Sequence, residues 1–267
     1  MQYMGSKRKF IDIFCPFFQT VIKEFDLQTY IEPFVGSASI ISHIDCKNKI
    51  GYDKNYPLIS LHQKVQSDFD AIPSTGNREW WDKAKEIYKA SKGNKDFLDK
   101  SDLKPWEIGA IEFYSSYSKG GFSRGYIGIV KDRDTYNESY RNAKLEHENP
   151  LYDNIEFKWI EDFSKIELPK EKSLIYCDPP YAGTKPYGYA FETKFNHTDF
   201  WNWVREISKD HIVFVSEQNA PEDFSSIWQQ EVKRTTNKTN DFVVTEKLFV
   251  WNKVPDKEVI INLIKKL

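Results

Sequence analysis

The sequence predicts an α/β protein with one main sheet of parallel strands and a mostly helical insertion. Short apolar runs bounded by polar residues, at residues 174–177 and 211–215, have the composition of strands that are buried on both faces. Between residues 60 and 154 the chain changes to charged helical segments and then to a stretch rich in Gly, Ser and Tyr. We therefore expect residues 1–59 and 155–267 to form one domain, with residues 60–154 inserted into it.

The first elements are predicted from the spacing of apolar residues. These recur at helical intervals between residues 7 and 25, so we predict an amphipathic helix there despite Pro16. Residues 29–35 are β-prone and end in the small residues Gly-Ser-Ala-Ser at 36–39, after which residues 40–44 resume a helical pattern. The predicted unit is strand, tight turn, helix. Residues 49–53 form the next strand, and the polar segment 233–238 is interpreted as a loop between two later strands.

Composition excludes several classes of function. The chain has 267 residues, 40% of them hydrophobic, which suffices for one large core with an elaboration. A net charge of -2 argues against binding nucleic acid by bulk charge, although a local cationic groove remains compatible with it. The three cysteines show no metal-ligand or disulfide spacing, and no apolar run reaches the roughly 18 residues of a membrane helix. We expect a cytoplasmic protein without a metal site, a membrane segment or an obligatory protein partner.

The most specific motif is Asp178-Pro179-Pro180-Tyr181, which directly follows the apolar run 174–177. Two consecutive prolines cannot continue a strand, so Asp178 and Tyr181 are expected at its carboxyl end, where open α/β sheets bind ligands. One reaction that suits these residues is alkylation of an exocyclic amine such as that of adenine. This amine is a poor nucleophile, and its two N–H groups need hydrogen-bond acceptors during the reaction. The Asp178 carboxylate and the Pro179 carbonyl would accept them, and Tyr181 would stack on the base. The alternative interpretation is that the acid and the two prolines only end the strand and bind nothing.

A second motif indicates a cofactor site. Residues 32–39 place small side chains at a strand-to-helix turn, where the backbone can approach a ligand closely. Asp53 follows Gly36 by about 17 positions, close to the offset at which an acid binds a ribose in nucleotide-binding α/β folds. Together these residues suggest an adenosine-containing cofactor. Taken separately, each has an equally good structural explanation. The small residues of the turn could serve packing alone, and Asp53 could be an ordinary surface acid.

With these motifs the chain resembles the Dam-like family of DNA N6-adenine methyltransferases, in particular its small phage-type members. The resemblance covers nearly the whole length outside residues 60–105 and includes residues 3–7, 32–36, 122–126, 161–163, 176–181 and 246–249, with Asp53. It implies a Rossmann-like sheet with S-adenosylmethionine as cofactor, double-stranded DNA as substrate, and residues 60–154 as the target-recognition subdomain. It also implies direct methyl transfer to an adenine flipped out of the duplex.

The resemblance assigns roles to individual residues. Lys7, with Tyr3, would hold the methionine end of the cofactor, Asp53 its ribose, and Asp162 and Phe163 its adenine. The implied cofactor-binding set is Tyr3, Lys7, Phe34, Gly36, Ser37, Asp53, Asp162, Phe163 and Asp178, and the catalytic set is Asp178, Pro179, Pro180 and Tyr181.

The Tyr- and Gly-rich stretch supplies the candidates for DNA contact, since arginine pairs with guanine edges or phosphates and aromatic rings fill the gap left by an extruded base. These candidates are Tyr114, Tyr117, Lys119, Phe122, Arg124 and Tyr126. Two departures from the family pattern stand out. Ser37 occupies a position where family members often carry glycine, so its backbone must avoid positive φ. The stretch also does not match the segment that GATC-specific members use.

Alternative functions differ in the residues that they require. Methylation at carbon 5 of cytosine requires a cysteine nucleophile, and Cys177 lies inside a strand with no base beside it. Transfer to the exocyclic amine of cytosine uses the same chemistry and is the closest alternative. A catalytically silent DNA-binding relative is a third, and methylation of protein amides is disfavoured because such enzymes carry Asn where this chain has Asp178.

Overall fold

The computed structural model describes residues 6–117, 120–181, 195–235 and 241–266. The strands of its main sheet are β1 (Thr29–Glu32), β2 (Asn48–Asp53), β5 (Ile155–Trp159), β6 (Leu174–Cys177), β7 (Ile212–Glu217), β8 (Phe224–Thr235) and β9 (Asp241–Trp251). Two short strands, β3 (Ile129–Val130) and β4 (Arg133–Asp134), form a separate antiparallel ribbon.

The strand order of the main sheet is β5-β2-β1-β6-β7-β9-β8. Strands β5, β2, β1, β6 and β7 are parallel, while β9 runs antiparallel to both β7 and β8. From β1 the chain proceeds to β2 on one side of the sheet and later returns to β6 on the other. The carboxyl ends of β1 and β6 therefore flank a topological switch point, where open α/β sheets form their ligand crevice. The predicted Rossmann-like α/β class is confirmed.

The α-helices are α1 (Ile11–Glu24), α2 (Tyr56–Ser67), α3 (Arg78–Ser91), α4 (Lys95–Asp99), α5 (Pro105–Ser115), α6 (Thr135–His147), α7 (Pro150–Asp153), α8 (His197–Ile207) and α9 (Lys257–Ile264). The predicted N-terminal helix forms as a 3-10 turn over Lys7–Phe10 that continues into α1. Pro16 is tolerated inside α1 because it lies on the exposed face, where water can satisfy the carbonyl that loses its partner. The opposite face buries Phe14, Phe17 and Phe18 against the sheet.

The helices between residues 60 and 154 are packed onto the sheet domain rather than held apart from it. Helix α2 runs through the expected boundary at residue 59, so the inserted part begins within a helix. Helix α5 crosses α2 so closely that a Cβ on Gly109 would lie 2.3 Å from the carbonyl oxygen of Pro57. One continuous hydrophobic core contains both Phe14 of α1 and Trp81 of α3.

Three expectations about local structure are wrong. Residues 40–44 do not form an α-helix but a single 3-10 turn over Ile41–His43, because β2 begins only a few residues later at Asn48. The preceding strand also stops earlier than predicted, at Glu32. Residues 233–235 belong to β8 rather than to a loop, since Lys233 pairs with Val243 and Thr235 with Asp241 in the antiparallel ladder. Residues 236–240 lie outside the described ranges.

In the described part of the chain, no helix is both long and apolar enough to cross a membrane. The same residues contain no group of three or more His, Cys, Asp or Glu side chains arranged to hold a metal ion.

Candidate active site

Three carboxylates lie at the carboxyl ends of neighbouring parallel strands. Glu32 ends β1, Asp53 ends β2, and Asp178 follows β6 directly. Strand β6 stops at Cys177 because Pro179 and Pro180 have no N–H to donate to a ladder. Asp53 and Asp178, predicted from separate motifs, therefore lie at the same edge of the sheet, with Glu32 on the strand between them.

Asp178 is paired with Lys7, which comes from the 3-10 turn that precedes α1. The Lys7 Nζ donates to Asp178 Oδ1 at 2.6 Å, and the two side chains are only 8% and 22% exposed. Burial raises the pKa of the Asp178 carboxyl above its usual value, and the Lys7 ammonium opposes that rise. Lys7 therefore helps to keep the carboxylate ionised as an acceptor at the mouth of β6.

Tyr181 is anchored at its hydroxyl end. Its Oη donates to Glu246 Oε2 at 2.7 Å, and the Lys7 Nζ lies 4.7 Å from the centre of its ring. Glu246 lies on β9 and is 2% exposed. Glu246 is not among the predicted site residues, although the segment containing it contributes to the family resemblance. The hydrogen bond fixes the hydroxyl end of a side chain that is only 8% exposed, and the Lys7 ammonium lies over its ring.

The turn after β1 is held by Asp53. Gly36 adopts a φ of 48°, and its N–H donates to Asp53 Oδ2 at 3.0 Å. Asp53 Oδ1 accepts from the backbone N–H of Asn55 at 2.9 Å. Burial raises the pKa of Asp53, and these two backbone donors oppose the rise. The predicted cofactor turn and the predicted ribose acid are therefore in direct contact.

Ser37 avoids positive φ, as its place in the turn requires, while the next residue, Ala38, adopts a φ of 57°. The Ser37 hydroxyl donates to the hydroxyl of Ser6 at 3.1 Å. This bond joins the turn to the segment that carries Lys7. Tyr3, the other predicted ligand of the methionine end, lies outside the described residues.

An aromatic cluster lies beside the turn. The ring of Phe163 lies 5.9 Å from that of Phe34 and 5.5 Å from that of Phe195, between ring centres. Asp162 caps the 3-10 turn Phe163–Lys165 by accepting from the Ser164 N–H and hydroxyl, which lowers the pKa of Asp162. Phe34, Asp162 and Phe163, predicted separately, are thus brought to one side of the crevice.

Glu32 is a buried acid that the sequence analysis did not assign. It is 3% exposed and accepts a hydrogen bond from the Tyr30 hydroxyl at 2.8 Å. Burial raises its pKa to about 8, an effect that the Tyr30 bond opposes. Its position at a strand end, directly before Pro33, is the same signal that identified Asp178.

Two of the predicted DNA contacts are wrong, because their side chains lie in the core. Tyr114 is 0% exposed and Phe122 is 2% exposed, with the Phe122 ring 4.8 Å from that of Trp81. Tyr126 is half-buried beside the same tryptophan. Tyr117, at 59% exposure, and Arg124 do reach the surface. Lys119 lies outside the described residues.

Cys177 does not offer nucleophilic chemistry. Its side chain is fully buried within β6, and burial raises the pKa of the thiol well above its usual value. A thiolate is the form that would attack carbon 5 of cytosine, so the structure agrees with the exclusion of that reaction.

These features define the protein as a Rossmann-like α/β protein with acids at the carboxyl ends of β1, β2 and β6, where open α/β sheets bind ligands. Residues 3–252 match the family of D12 class N6 adenine-specific DNA methyltransferases, and the chain belongs to this family. The activity that describes this family is methylation of adenine in DNA at the N6 position.

Similarity to solved structures is weaker. SMU.472, assigned as a methyltransferase and crystallised with SAH, is 9% identical with a TM-score of 0.33; the alignment covers 92% of this chain and 55% of that one. The rRNA methyltransferase aviRa from Streptomyces viridochromogenes is 10% identical with a TM-score of 0.38, and 99% and 89% of the two chains are covered. The chain thus spans about half the length of the first structure. No curated protein sequence matches the chain significantly. The family assignment rests on the sequence match.

Proposed function

We propose that the crevice at the carboxyl ends of β1, β2 and β6 binds S-adenosylmethionine beside a flipped adenine, and that Asp178 to Tyr181 act on the base. The observation that supports this most directly is the position of Asp178. It lies at the end of β6, next to the strand that leads into the Gly36 turn, and it is paired with Lys7.

The residues around the crevice fit the cofactor. The Gly36 turn and the Asp53 carboxylate suit the ribose, since the carboxylate is already oriented by two backbone donors. Phe34 and Phe163 offer aromatic surface for the adenine, with Asp162 nearby for its amine. Lys7 has three N–H donors, so it can hold the methionine carboxylate while it still contacts Asp178. When bound, S-adenosylmethionine supplies a methyl group that its sulfonium has already activated.

The protein's own contribution is alignment and hydrogen-bond acceptance. The Asp178 carboxylate and the Pro179 carbonyl accept the two N–H groups of the target amine, which directs the nitrogen lone pair towards the methyl group. Tyr181, held by Glu246, stacks on the base and recovers part of the few kcal/mol spent in unstacking it. No covalent intermediate with the enzyme is needed in this scheme.

We further propose that residues 60–154 recognise the target in double-stranded DNA. Arg124 and Tyr117 are the exposed members of the predicted contact set. The nearby β3–β4 ribbon presents Ile129 at 74% exposure and Val130 at 47%, next to the Lys131–Asp132 turn with φ of 50° and 63°. Exposed apolar side chains beside cations suit contact with bases and phosphates together.

The test is a transfer assay followed by identification of the product. The protein is incubated with plasmid DNA and isotopically labelled S-adenosylmethionine, and the DNA is digested to nucleosides for mass spectrometry. N6-methyladenine is the expected product. Label in N4-methylcytosine, or none with cofactor-saturated protein, would overturn the proposal. Label that requires single-stranded DNA would overturn the duplex substrate.

A further inference from the structure

A buried histidine contacts the turn on which the proposed cofactor site is built. His62 lies on α2 and is 1% exposed. Its Nε2 lies 2.8 Å from the carbonyl oxygen of Gly36, and its Nδ1 lies 2.7 Å from the hydroxyl of Tyr152 on α7. The ring also stacks on Phe157 of β5, with 4.5 Å between ring centres and 9° between the planes. Both ring nitrogens and one face of this imidazole therefore have a defined partner.

The partners determine which ring nitrogen carries the proton. A carbonyl oxygen can only accept, so Nε2 must be the donor towards Gly36. In a neutral imidazole Nδ1 is then an acceptor, and it accepts a hydrogen bond from the Tyr152 hydroxyl. Burial lowers the pKa of His62 to about 3, so the ring is neutral at physiological pH. Tyr152 therefore donates to His62, and His62 donates to the carbonyl of Gly36.

Both backbone polar groups of Gly36 are thereby engaged. Its N–H donates to Asp53 on one side, and its carbonyl accepts from His62 on the other. The two bonds act on a residue at positive φ, where the backbone would otherwise be free to rotate into other regions. They come from different elements, since Asp53 ends β2 and His62 lies within α2.

We propose that His62 is a positioning residue for the cofactor turn, and that Tyr152 stabilises the tautomer in which Nε2 donates to Gly36. The chain Tyr152–His62–Gly36 connects the inserted residues 60–154 to the proposed cofactor site. That the ligand is S-adenosylmethionine rests on the proposed function above, whereas the effect of His62 on the Gly36 turn does not. The ring nitrogens of His62 contact the carbonyl of Gly36 and the hydroxyl of Tyr152 rather than Asp178 or Tyr181, so we expect its substitution to act mainly on cofactor affinity.

Four variants test this. His62→Phe keeps the ring stack but removes the donor, His62→Gln retains an N–H donor, and Tyr152→Phe removes the hydroxyl. Gln63→Met is the matched control, because the neighbouring Gln63 on α2 also donates to a backbone carbonyl, that of Phe157 at 2.8 Å. Binding of S-adenosylhomocysteine is measured by calorimetry, with kcat at saturating cofactor and DNA affinity alongside. Amide hydrogen exchange of the segment containing Gly36 and Ser37 is followed without ligand.

We expect His62→Phe to raise the dissociation constant for S-adenosylhomocysteine about five- to tenfold, as loss of one buried hydrogen bond predicts. His62→Gln restores most of that loss, Tyr152→Phe gives a smaller rise, and Gln63→Met stays within about twofold of the original protein. Saturated kcat and DNA affinity change little in all four. Exchange at the Gly36 segment accelerates in His62→Phe but not in the control.

The outcomes separate the two proposals. If the unsubstituted protein binds no S-adenosylhomocysteine while His62→Phe still accelerates exchange at Gly36, the proposed function fails and the role of His62 stands. If the unsubstituted protein binds the ligand and His62→Phe changes neither affinity nor exchange, the role of His62 is wrong. Equal losses in His62→Phe and Gln63→Met would also overturn it, since they would reflect general destabilisation of α2. Should His62→Phe not fold, His62→Gln and Tyr152→Phe carry the same comparison.

Discussion

The Nζ of Lys7 lies 2.6 Å from the Oδ1 of Asp178, although 171 positions separate the two residues in the chain. This ion pair brings the N-terminal turn to the end of β6 and places a cation beside the carboxylate that is proposed to bind the target amine. It also supplies the charge that opposes the rise in the pKa of Asp178 caused by burial. The following predictions concern this pair and its surroundings.

Asp178→Ala should lower kcat at least about 100-fold, because the target amine loses its main hydrogen-bond acceptor. Binding of S-adenosylhomocysteine should persist, since the ribose and adenine contacts remain. Single-turnover transfer and calorimetry measure the two effects. Asp178→Asn, which keeps the shape but loses the charge, serves as control and should also be strongly impaired. Loss of cofactor binding with transfer retained at saturating cofactor would contradict the assigned role.

Lys7→Met keeps the aliphatic stem but removes the charge next to Asp178. The pKa of Asp178 should then rise further, so the carboxylate becomes protonated at higher pH. Activity depends on the ionised form, so the acidic limb of the kcat profile should move to higher pH. Cofactor binding should weaken at least about tenfold, as loss of a charged hydrogen bond predicts. The profile is measured at saturating cofactor, with Lys7→Arg as control. An unchanged acidic limb would exclude this electrostatic role.

Glu32→Gln should stabilise the protein, and the gain should grow with pH. The pKa of Glu32 is raised from 4.5 to about 8 in the folded protein, so folding favours the protonated acid. That contribution is fully present below pH 4.5 and is lost as the pH rises to about 8. Glutamine is neutral throughout and keeps nearly the same shape. Each kcal/mol gained corresponds to roughly 2–4 °C in Tm for a chain of this size. Calorimetric scans at pH 5 and pH 8 should therefore diverge, whereas parallel curves would refute the assignment.

Arg124→Ala should weaken DNA binding without changing stability, whereas Phe122→Ala should lower stability. Arg124 is exposed, so its removal should leave the free energy of unfolding within about 0.5 kcal/mol while weakening DNA binding. If it contacts a phosphate, the slope of log affinity against log salt should decrease by about 1. Phe122 is packed on Trp81, and its truncation should cost about 3 kcal/mol of stability. Denaturant unfolding and salt-dependent binding measure both. Unaltered DNA binding by a stable Arg124→Ala protein would remove that residue from the interface.

The parallel sheet could be predicted because strands buried on both faces read as continuous apolar runs. The run 174–177 before two prolines predicted both the strand and the acid at its end, and β6 ends at Cys177 as expected.

The wrong predictions of local structure have a common cause. Residues 40–44 have a helical pattern, but the distance to β2 leaves room only for a 3-10 turn over Ile41–His43. Tertiary geometry overrides local preference at such positions.

The recognition stretch shows the same limit for side chains. One polar and aromatic segment contains Tyr114, Tyr117, Phe122 and Arg124. Nothing in its composition distinguishes buried residues from exposed ones. Helix α5 and the turn that follows it place Tyr114 and Phe122 in the core while leaving Tyr117 and Arg124 at the surface. Which aromatic rings are accessible to DNA depends on packing against α3 and α6.

By itself, the sequence determined the sheet, the family and the acids at the strand ends, because periodicity and short contiguous motifs encode local structure and chemistry. The tertiary structure alone decided which of those groups meet: Lys7 with Asp178, Tyr181 with Glu246, and His62 with Gly36. Such pairs join residues distant in the chain, and hydrogen bonds form only over about 3 Å. Their existence therefore depends on how the elements pack, which no local pattern records.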